Sequence, residues 1–200
     1  MKRAFDISVS LTGLILLFPL LVLVAGAIKL DSPGPAFFRQ RRIGRGFRPF
    51  LIFKFRTMAR DAAARGKSIT VGNDPRITRV GAFLRMSKID ELPQLINVLK
   101  GDMAIVGPRP EVPQYVQLYR KDYEEILKIK PGITDLASLK YRNEASLLAR
   151  AQNPELEYVS RVLPDKIRMA KEYIHRSSFF FDLSLLLRTI FKLFDYRLSS

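Results

Sequence analysis

The sequence predicts a mixed α/β fold that is mostly helical, with an N-terminal re-entrant membrane helix, interfacial amphipathic helices and a small cytosolic domain of few short strands. Three observations lead to this prediction: an uncharged apolar run over residues 7–28, alternating aromatic and basic residues over 37–55, and helical periodicity in later segments. A chain of 200 residues suits one compact unit. We expect residues 1–30 to form the membrane helix and residues 31–200 the remainder of a single functional unit.

The apolar run is about as long as the ~20 residues that cross a bilayer core. Basic residues flank it on both sides, and such flanks favour the cytoplasmic face. Pro19 removes a backbone donor in the middle of the run, so it is the expected break of a re-entrant helix. The basic flanks are Lys2 and Arg3 before the run and Lys29, Arg39, Arg41, Arg42, Arg45 and Arg48 after it.

Two other interpretations of this run are open. A single straight span would tolerate the proline, and the larger basic cluster after the run would then place the N-terminus outside. A cleavable signal peptide fits less well, because the run is long for one and no small-x-small cleavage pattern leads into a normal mature start.

The charge balance predicts an anionic partner. Lys and Arg total 34 against 19 Asp and Glu, a net charge of +15, which suits an anionic lipid bilayer, a phosphate-rich substrate or nucleic acid. The chain has no Cys and its only histidine is His175, so thiolate chemistry and a multi-histidine metal site are excluded. Chemistry is left to carboxylates, Lys, Arg, hydroxyls or a bound metal.

Local patterns predict the elements in order. Residues 37–55 indicate two short strands around a Gly44-Arg-Gly46 turn, and the polar residues 61–73 indicate a helix end and a loop. A helix is expected to begin near Asp90, because Pro93 is tolerated only in a first turn, and to stop at Gly101. Its apolar face is formed by Leu92, Leu95, Ile96 and Leu99.

Three further segments complete the chain. Residues 107–110 cannot be helical and hold Arg109 rigidly, and residues 130–134 are expected to form a second constrained loop. Residues 179–194 are apolar but interrupted by charges. They predict a helix lying in the membrane interface, with a helix packed in the core as the alternative.

Asp90 and Glu91 are the candidate chemical residues. At the start of a helix, unsatisfied backbone N–H groups favour both carboxylates and bound phosphates. Such a pair usually does no more than stabilise the helix dipole. Here, however, the chain is poor in other nucleophiles, and several arginines lie in constrained loops nearby in sequence.

The order of five motifs resembles that of the bacterial sugar transferases known as monotopic phosphoglycosyl transferases, over nearly the whole chain. The motifs are Lys54-Phe-Arg-Thr-Met58, Asp90-Glu-Leu-Pro-Gln-Leu95, Asn97-Val-Leu-Lys-Gly-Asp-Met103, Gly107-Pro-Arg-Pro110 and Pro131-Gly-Ile-Thr134. The resemblance implies a re-entrant helix broken at proline, Asp90 as nucleophile, and Glu91 helping Asp90 to hold Mg²⁺. It also implies substrate-binding roles for Lys54, Arg56, Arg85, Arg109 and Arg142.

The activity implied by this resemblance is transfer of a sugar-1-phosphate from a UDP-sugar to undecaprenyl (polyprenyl) phosphate, with release of UMP, as the first membrane step of glycan or polysaccharide synthesis. The expected mechanism is ping-pong through a phosphosugar on Asp90, because an ordinary Asp is ionised at pH 7 and needs no general base. The resemblance implies a monotopic protein on the cytoplasmic face of the bacterial inner membrane, and the sequence allows a homodimer.

Two positions depart from the family pattern. Phe18 stands before Pro19 where Ser is common, and Asp135-Leu136 follows Thr134 where Gly-Trp is common.

Two other functions are also considered. A nucleic-acid-binding protein would explain the charge and the aromatic–basic segment but not the membrane run, so no nucleic-acid partner is expected. A non-catalytic membrane-surface scaffold would leave Asp90 and Glu91 without a role.

Overall fold

The protein is mostly helical with few short strands, as predicted. The computed structural model describes residues 2–60, 62, 70–72 and 74–195, so the helix end and loop predicted over residues 61–73 lie mostly outside the described residues. The helices are α1 (Lys2–Asp31), α2 (Arg79–Ser87), α3 (Gln94–Lys100), α4 (Pro113–Leu118), α5 (Arg120–Ile126), α6 (Leu136–Lys140), α7 (Glu144–Ala149), α8 (Pro154–Glu157), α9 (Leu163–Arg176) and α10 (Phe179–Asp195). The strands are β1 (Phe37–Ile43), β2 (Pro49–Phe55), β3 (Ala104–Val106) and β4 (Gly132–Thr134).

Helix α1 is, within the described part of the chain, the one helix long and apolar enough to cross a membrane. It runs through Pro19 without ending there, so a bend at that residue stays a prediction. The middle of the helix is open to the surroundings, with Leu16 and Leu23 exposed. Both ends contact the rest of the protein. Near the start, the Asp6 carboxylate accepts a hydrogen bond from a backbone N–H of β3, and near the end Ile28 is buried.

Strands β1 and β2 form the predicted antiparallel hairpin, in which Phe37 pairs with Phe55. The turn between them contains Gly46 and Phe47, whose φ values of 65° and 59° lie in the left-handed region. Glycine enters that region without strain, which accounts for the predicted turn at this point. Phe55 is buried and packs against α1 and α2. The hairpin is thereby fixed beside the C-terminal half of α1.

The constrained loop predicted over residues 130–134 is in part a strand. Residues 132–134 form β4, which pairs in parallel with β3. A strand of three residues is too short for side-chain alternation to reveal it in the sequence. The two backbones meet where only glycine fits, because a Cβ on Gly132 would lie 2.1 Å from the backbone nitrogen of Gly107. This contact fixes the base of the 107–110 segment, which is non-helical as predicted.

The helix predicted to begin near Asp90 begins at Gln94 instead, as α3. Asp90 lies before it in a separate 3-10 turn, Ile89–Glu91. The physical reason is Pro93, which has no backbone N–H and therefore delays regular helical hydrogen bonding until the residues that follow it. The end of the helix at Gly101 agrees with the prediction, since this glycine adopts φ 89° at the C-cap.

Helix α10 has one buried face and one exposed face. Leu185 and Asp182 are buried, whereas Phe180 and Phe191 are 80% and 71% exposed. The Asp182 carboxylate accepts a hydrogen bond of 2.6 Å from the Tyr173 hydroxyl of α9 and pairs with Lys2 at the start of α1. Packing in the core, which was the alternative to an interfacial helix, therefore describes one face of α10 and leaves the other face available.

Candidate active site

The turn that carries Asp90 is set by an unusual backbone conformation at Lys88. Helix α2 ends there with φ 60° and ψ 13°, a left-handed conformation that non-glycine residues rarely adopt. The chain reverses at this point and enters the 3-10 turn Ile89–Glu91. As a result Asp90 points inward and is only 8% exposed.

Glu91 is bound by two cations. The Arg109 guanidinium donates to both of its carboxylate oxygens, at 3.0 Å to Oε2 and by a second, shorter contact to Oε1. Lys54, from β2, donates to the same Oε1 at 2.7 Å. Burial alone would raise the pKa of Glu91, but Arg109 and Lys54 together hold it well below its usual range. Glu91 is therefore an anion held between β2, which carries Lys54, and the 107–110 segment, which carries Arg109. Charge-assisted bidentate pairs such as the one with Arg109 are strong.

Asp90 differs from its neighbour, because its Oδ1 atom is buried and has no hydrogen-bond partner. Burial raises the pKa of Asp90, and the Glu91 charge raises it further. Lys54, Lys88 and Arg85 act in the opposite direction. An oxygen that is desolvated and unpartnered is costly to fold, and such atoms often mark a site where a ligand is missing.

Arg85 and Lys54 place positive charge beside this carboxylate. Arg85, on α2, donates from Nε to the Thr57 hydroxyl at 2.8 Å. Burial lowers the pKa of Arg85, and the nearby Asp90 charge opposes that effect. Burial likewise lowers the pKa of Lys54, against the charge of Glu91. Buried cations with little competing water are strong binders of phosphate oxygens.

The loop that presents Arg109 is anchored by Asp135. The Arg109 backbone N–H donates to Asp135 Oδ2 at 3.0 Å, while Oδ1 of the same carboxylate accepts from the Ser138 N–H at 2.7 Å and so caps α6. Asp135 is one of the two positions at which the sequence departs from the family pattern. The departure therefore falls on a residue that holds an active-site loop in place.

Arg142 reaches this region through its main chain. Lys88 donates from Nζ to the Arg142 carbonyl at 3.4 Å, which ties that segment to the turn before Asp90. The Arg142 guanidinium contacts the Lys192 carbonyl in α10. Of the predicted substrate-binding residues, the structure thus brings together Lys54, Arg85 and Arg109 around Asp90 and Glu91, and Arg142 by its backbone.

Arg56 is placed differently from the other predicted site residues. Its buried guanidinium donates to the carbonyl oxygens of Ile28, Ser32 and Pro33, at 3.3, 2.7 and 3.1 Å. These carbonyl groups lie at and just beyond the C-terminal end of α1, where that of Ile28 also accepts from the Ser32 backbone N–H. The side chain therefore joins the hairpin to α1.

Three residues of the site were not singled out in the sequence. Thr57, the partner of Arg85, belongs to the Lys54–Met58 motif and could have been found there. Asp135 was visible as a departure from the family pattern. Lys88 carried no signal, because a left-handed lysine cannot be recognised without the backbone.

The donor set is compatible with a magnesium ion, although the described residues contain no cluster of three or more potential ligand residues of the kind a protein-only site needs. A carboxylate offers about four acceptor positions. Arg109 and Lys54 occupy three of those of Glu91, which leaves one on Oε2, and Asp90 Oδ1 is unpartnered. Magnesium usually takes one or two carboxylates and completes its shell with water and substrate phosphates. Asp90 and Glu91 fit that description.

Comparison with known proteins identifies relatives along the whole chain. A family model described as bacterial sugar transferase matches residues 1–196. The UDP-glucose:undecaprenyl-phosphate glucose-1-phosphate transferase of Escherichia coli K12 is 39% identical over 196 residues, which cover 96% of this chain and 40% of that protein. The exopolysaccharide production protein PSS of Rhizobium leguminosarum bv. phaseoli is 46% identical over 147 residues, or 70% of this chain and 74% of that protein.

A third relative, the UDP-N-acetylgalactosamine-undecaprenyl-phosphate N-acetylgalactosaminephosphotransferase of Aeromonas hydrophila, is 42% identical over 143 residues, or 69% of this chain and 33% of that protein. The chain thus spans about two fifths of the length of the Escherichia coli relative and three quarters of the Rhizobium one. The family model nevertheless covers nearly all of it, and on that match the chain belongs to the bacterial sugar transferase family.

Proposed function

We propose that this protein transfers a sugar-1-phosphate from a UDP-sugar to undecaprenyl phosphate, or a similar polyprenyl phosphate, and releases UMP. The observation that carries the proposal is the contrast between the two adjacent carboxylates. Glu91 is neutralised by Arg109 and Lys54, whereas Asp90 keeps a buried, unpartnered oxygen near the charges of Lys54, Lys88 and Arg85.

The names of the relatives support the substrate classes. The Escherichia coli and Aeromonas proteins are named for undecaprenyl phosphate as acceptor, but for glucose in one case and N-acetylgalactosamine in the other. The acceptor is common to both names and the sugar differs. We therefore assign this chain a polyprenyl phosphate acceptor and a UDP-sugar donor, with the sugar to be found by experiment.

In the first step a carboxylate oxygen of Asp90 attacks the sugar-bearing phosphorus of the donor. A bond forms between that oxygen and phosphorus, the bond from phosphorus to the bridging oxygen breaks, and UMP leaves with the electron pair. In the second step an oxygen of the polyprenyl phosphate attacks the same phosphorus and the aspartyl–phosphorus bond breaks, which restores the carboxylate. No proton is transferred, so the absence of a histidine beside Asp90 presents no difficulty.

The surrounding cations suit the charge that moves in these steps. Arg85 and Lys88 lie on the α2 side of Asp90, and Arg109 and Lys54 lie on the Glu91 side. Phosphoryl transfer depends mainly on positioning and on stabilising charge on the phosphoryl oxygens. Asp90 and Glu91 would hold Mg²⁺, which supplies neutralisation of the diphosphate charge so that an anionic nucleophile can approach.

We also infer a monotopic arrangement in which α1 enters the membrane and returns to the cytoplasmic face. The support is that both ends of α1 bind the same body of the protein. Arg3 donates to carbonyl oxygens at the end of α3, at 2.6 and 3.0 Å, and the other end of α1 is held by Arg56. A straight helix of 30 residues is ~45 Å long, longer than the bilayer core, yet neither end is left free to lie on the far side.

The test is UMP release measured with undecaprenyl phosphate, Mg²⁺ and a panel of UDP-sugars, with wild type beside Asp90→Asn. Release that needs the acceptor, Mg²⁺ and Asp90 supports the proposal and identifies the sugar. Folded wild-type protein that releases no UMP across the panel would instead favour the membrane-surface scaffold. Undiminished release by Asp90→Asn would remove Asp90 from the mechanism.

A further inference from the structure

An apolar groove lies between the C-terminal half of α1 and helix α2. Its volume is about 470 Å³, within the range of small-molecule sites. Buried Val24 and Leu84 form its floor, and Phe83, which is 54% exposed, forms one wall. Ala27 and Val80 also line it, and Arg79 is the charged residue among the described lining side chains. We call it the α1–α2 groove.

The floor of the α1–α2 groove is the same cluster of side chains that supports the active site. Val24 and Leu84 pack with buried Phe55, and Ile89 packs against them. Phe55 directly follows Lys54, and Ile89 directly precedes Asp90. The groove and the candidate nucleophile are therefore linked through one packed cluster, to which the immediate sequence neighbours of Lys54 and Asp90 belong.

The groove also lies beside lipid rather than beside water if α1 enters the bilayer. Val24 and Ala27 belong to the uncharged run of residues 7–28, whose middle is exposed. A UDP-sugar has no apolar part large enough to use such a groove. A ligand that fits has a long apolar tail and an anionic head, because cations stand at the Asp90 end of α2: Arg85 on its last turn and Lys88 at its C-cap.

We propose that the α1–α2 groove binds the part of the polyprenyl tail next to the acceptor phosphate, so that the phosphate reaches Asp90 while the tail remains in the membrane; this inference rests on the proposed transferase function. The tail buries apolar surface in the groove and the phosphate meets Arg85 and Lys88. The rest of the polyprenyl tail extends from the groove along the exposed face of α1. The groove thereby aligns the acceptor for the second step and has no part in the first.

The experiment fills the groove and compares two half-reactions. Ala27→Phe places an aromatic ring in the groove, and Val22→Phe adds the same ring at an exposed position of α1 outside the groove. The first half-reaction is followed by exchange of labelled UMP into the UDP-sugar without acceptor. The second is followed as kcat/KM for undecaprenyl phosphate and for a one-isoprene phosphate, whose tail fills little of the groove. Phe83→Ala provides a second variant, because it removes one wall of the groove. Phe83 is half exposed, so this change disturbs the packed core little.

We expect Ala27→Phe to lower kcat/KM for undecaprenyl phosphate by about tenfold or more, the scale of a misfit in an apolar pocket. The UMP exchange should be unchanged, kcat/KM for the one-isoprene acceptor should fall less than that for undecaprenyl phosphate, Phe83→Ala should weaken the long acceptor more than the short one, and Val22→Phe should behave as wild type. Equal losses for both acceptors, or equal losses in Val22→Phe, would overturn the inference and leave the groove as a contact for bulk lipid. No UMP exchange in folded wild type would instead refute the proposed function itself.

Discussion

At the scale of single residues, the account depends on two carboxylates that are adjacent in sequence and opposite in character. Glu91 is held as an anion by Arg109 and Lys54, and burial raises the pKa of Asp90. The proposed nucleophile, Asp90, is thus a carboxylate whose charged form is disfavoured by burial in the folded protein. A free-energy cost of this kind is expected at a reacting atom whose hydrogen-bonding or ionic partner is supplied by a bound ligand.

Replacing Asp90 should therefore increase stability while abolishing activity. Because the folded-state pKa of Asp90 is raised, its ionisation opposes folding above that pKa, and this cost fades as the pH falls from the raised pKa to the ordinary Asp value of ~3.9. Asp90→Asn should raise the Tm at pH 7 by about 2–4 °C, the shift that 1 kcal/mol gives in a chain of this size. Thermal denaturation at pH 7 and pH 4 checks this. A variant less stable than wild type at pH 7 would contradict the assignment of an unpartnered carboxylate.

The same raised pKa predicts the pH dependence of the first step. The nucleophile must be ionised, so UMP exchange should fall on the acid side with a midpoint above ~4, where an ordinary Asp would titrate. Glu91, whose pKa is lowered, should contribute no acid limb in that range. The measurement is a pH profile of the exchange rate with constant Mg²⁺. A profile flat down to pH 4 would mean that the site keeps Asp90 ionised more strongly than its burial suggests.

Lys88 offers a separate test, because strain and charge can be removed together. A left-handed conformation costs a non-glycine residue about 1–2 kcal/mol, so Lys88→Gly should raise the Tm slightly. The same change removes a cation whose charge acts on Asp90, so the transfer rate should fall by about tenfold, the factor that 1.4 kcal/mol represents. Lys88→Asn, which tolerates this backbone, is the matched control for conformation. Unchanged activity in Lys88→Gly would reduce Lys88 to a helix cap.

At the scale of elements, the hairpin was predictable and the active-site turn was not. Alternating aromatic and basic residues with glycines at 44 and 46 are strong local signals, and β1 and β2 formed there. The turn around Asp90 depends on a left-handed Lys88 and on Pro93, so the helix began later than its apolar periodicity indicated. Strand β4 was not predicted for a different reason. A parallel pair of three residues is fixed by the contact between Gly132 and Gly107, which are distant in sequence, rather than by its own residue pattern.

Arg56 shows how a motif can mix roles that the sequence cannot separate. Lys54 lies within β2, whereas Arg56 directly follows Phe55, the last residue of that strand. Lys54 reaches Glu91, whereas Arg56 caps the end of α1. The role of each is set by where the chain runs after the strand ends, which the motif alone does not reveal.

Removing Arg56 should therefore destabilise the junction rather than weaken donor binding. Arg56→Ala removes the side-chain donor to the Ser32 and Pro33 carbonyl groups just beyond α1, and a buried carbonyl group left unpaired costs about 1–3 kcal/mol. We expect a Tm lower by several degrees with little change in KM for the UDP-sugar, and Arg41→Ala, at an exposed position of β1, serves as the control. A raised KM with an unchanged Tm would restore the substrate-binding role implied by the family resemblance.

At the scale of the whole molecule, the proposed function requires a water-soluble donor and a lipid-borne acceptor to meet at one carboxylate. The exposed faces of α1 and α10 and the basic hairpin would all meet an anionic bilayer on one side. We propose that residues 1–30 and 31–200 act as one functional unit for this reason. The composition indicated a membrane partner, but how α1 lies in the bilayer cannot be read from apolar length alone.

The absence of cysteine makes the topology directly testable. Ala4→Cys and Leu30→Cys place single thiols at the two ends of α1, both exposed, and Leu16→Cys places one in the middle. A re-entrant helix predicts that a membrane-impermeant maleimide labels both end positions in inside-out vesicles and neither in intact cells, with Leu16→Cys protected in both. Labelling of one end in intact cells would establish a spanning helix instead.

The central claim is that Asp90 carries the sugar-phosphate between donor and acceptor. The most direct measurement is the intact mass of the protein after brief incubation with the active UDP-sugar and Mg²⁺ in the absence of polyprenyl phosphate. We predict an increase equal to one sugar-phosphate group, located on Asp90, absent from Asp90→Asn and lost when undecaprenyl phosphate is added. Turnover without any such adduct, or an adduct that persists in Asp90→Asn, would contradict the account.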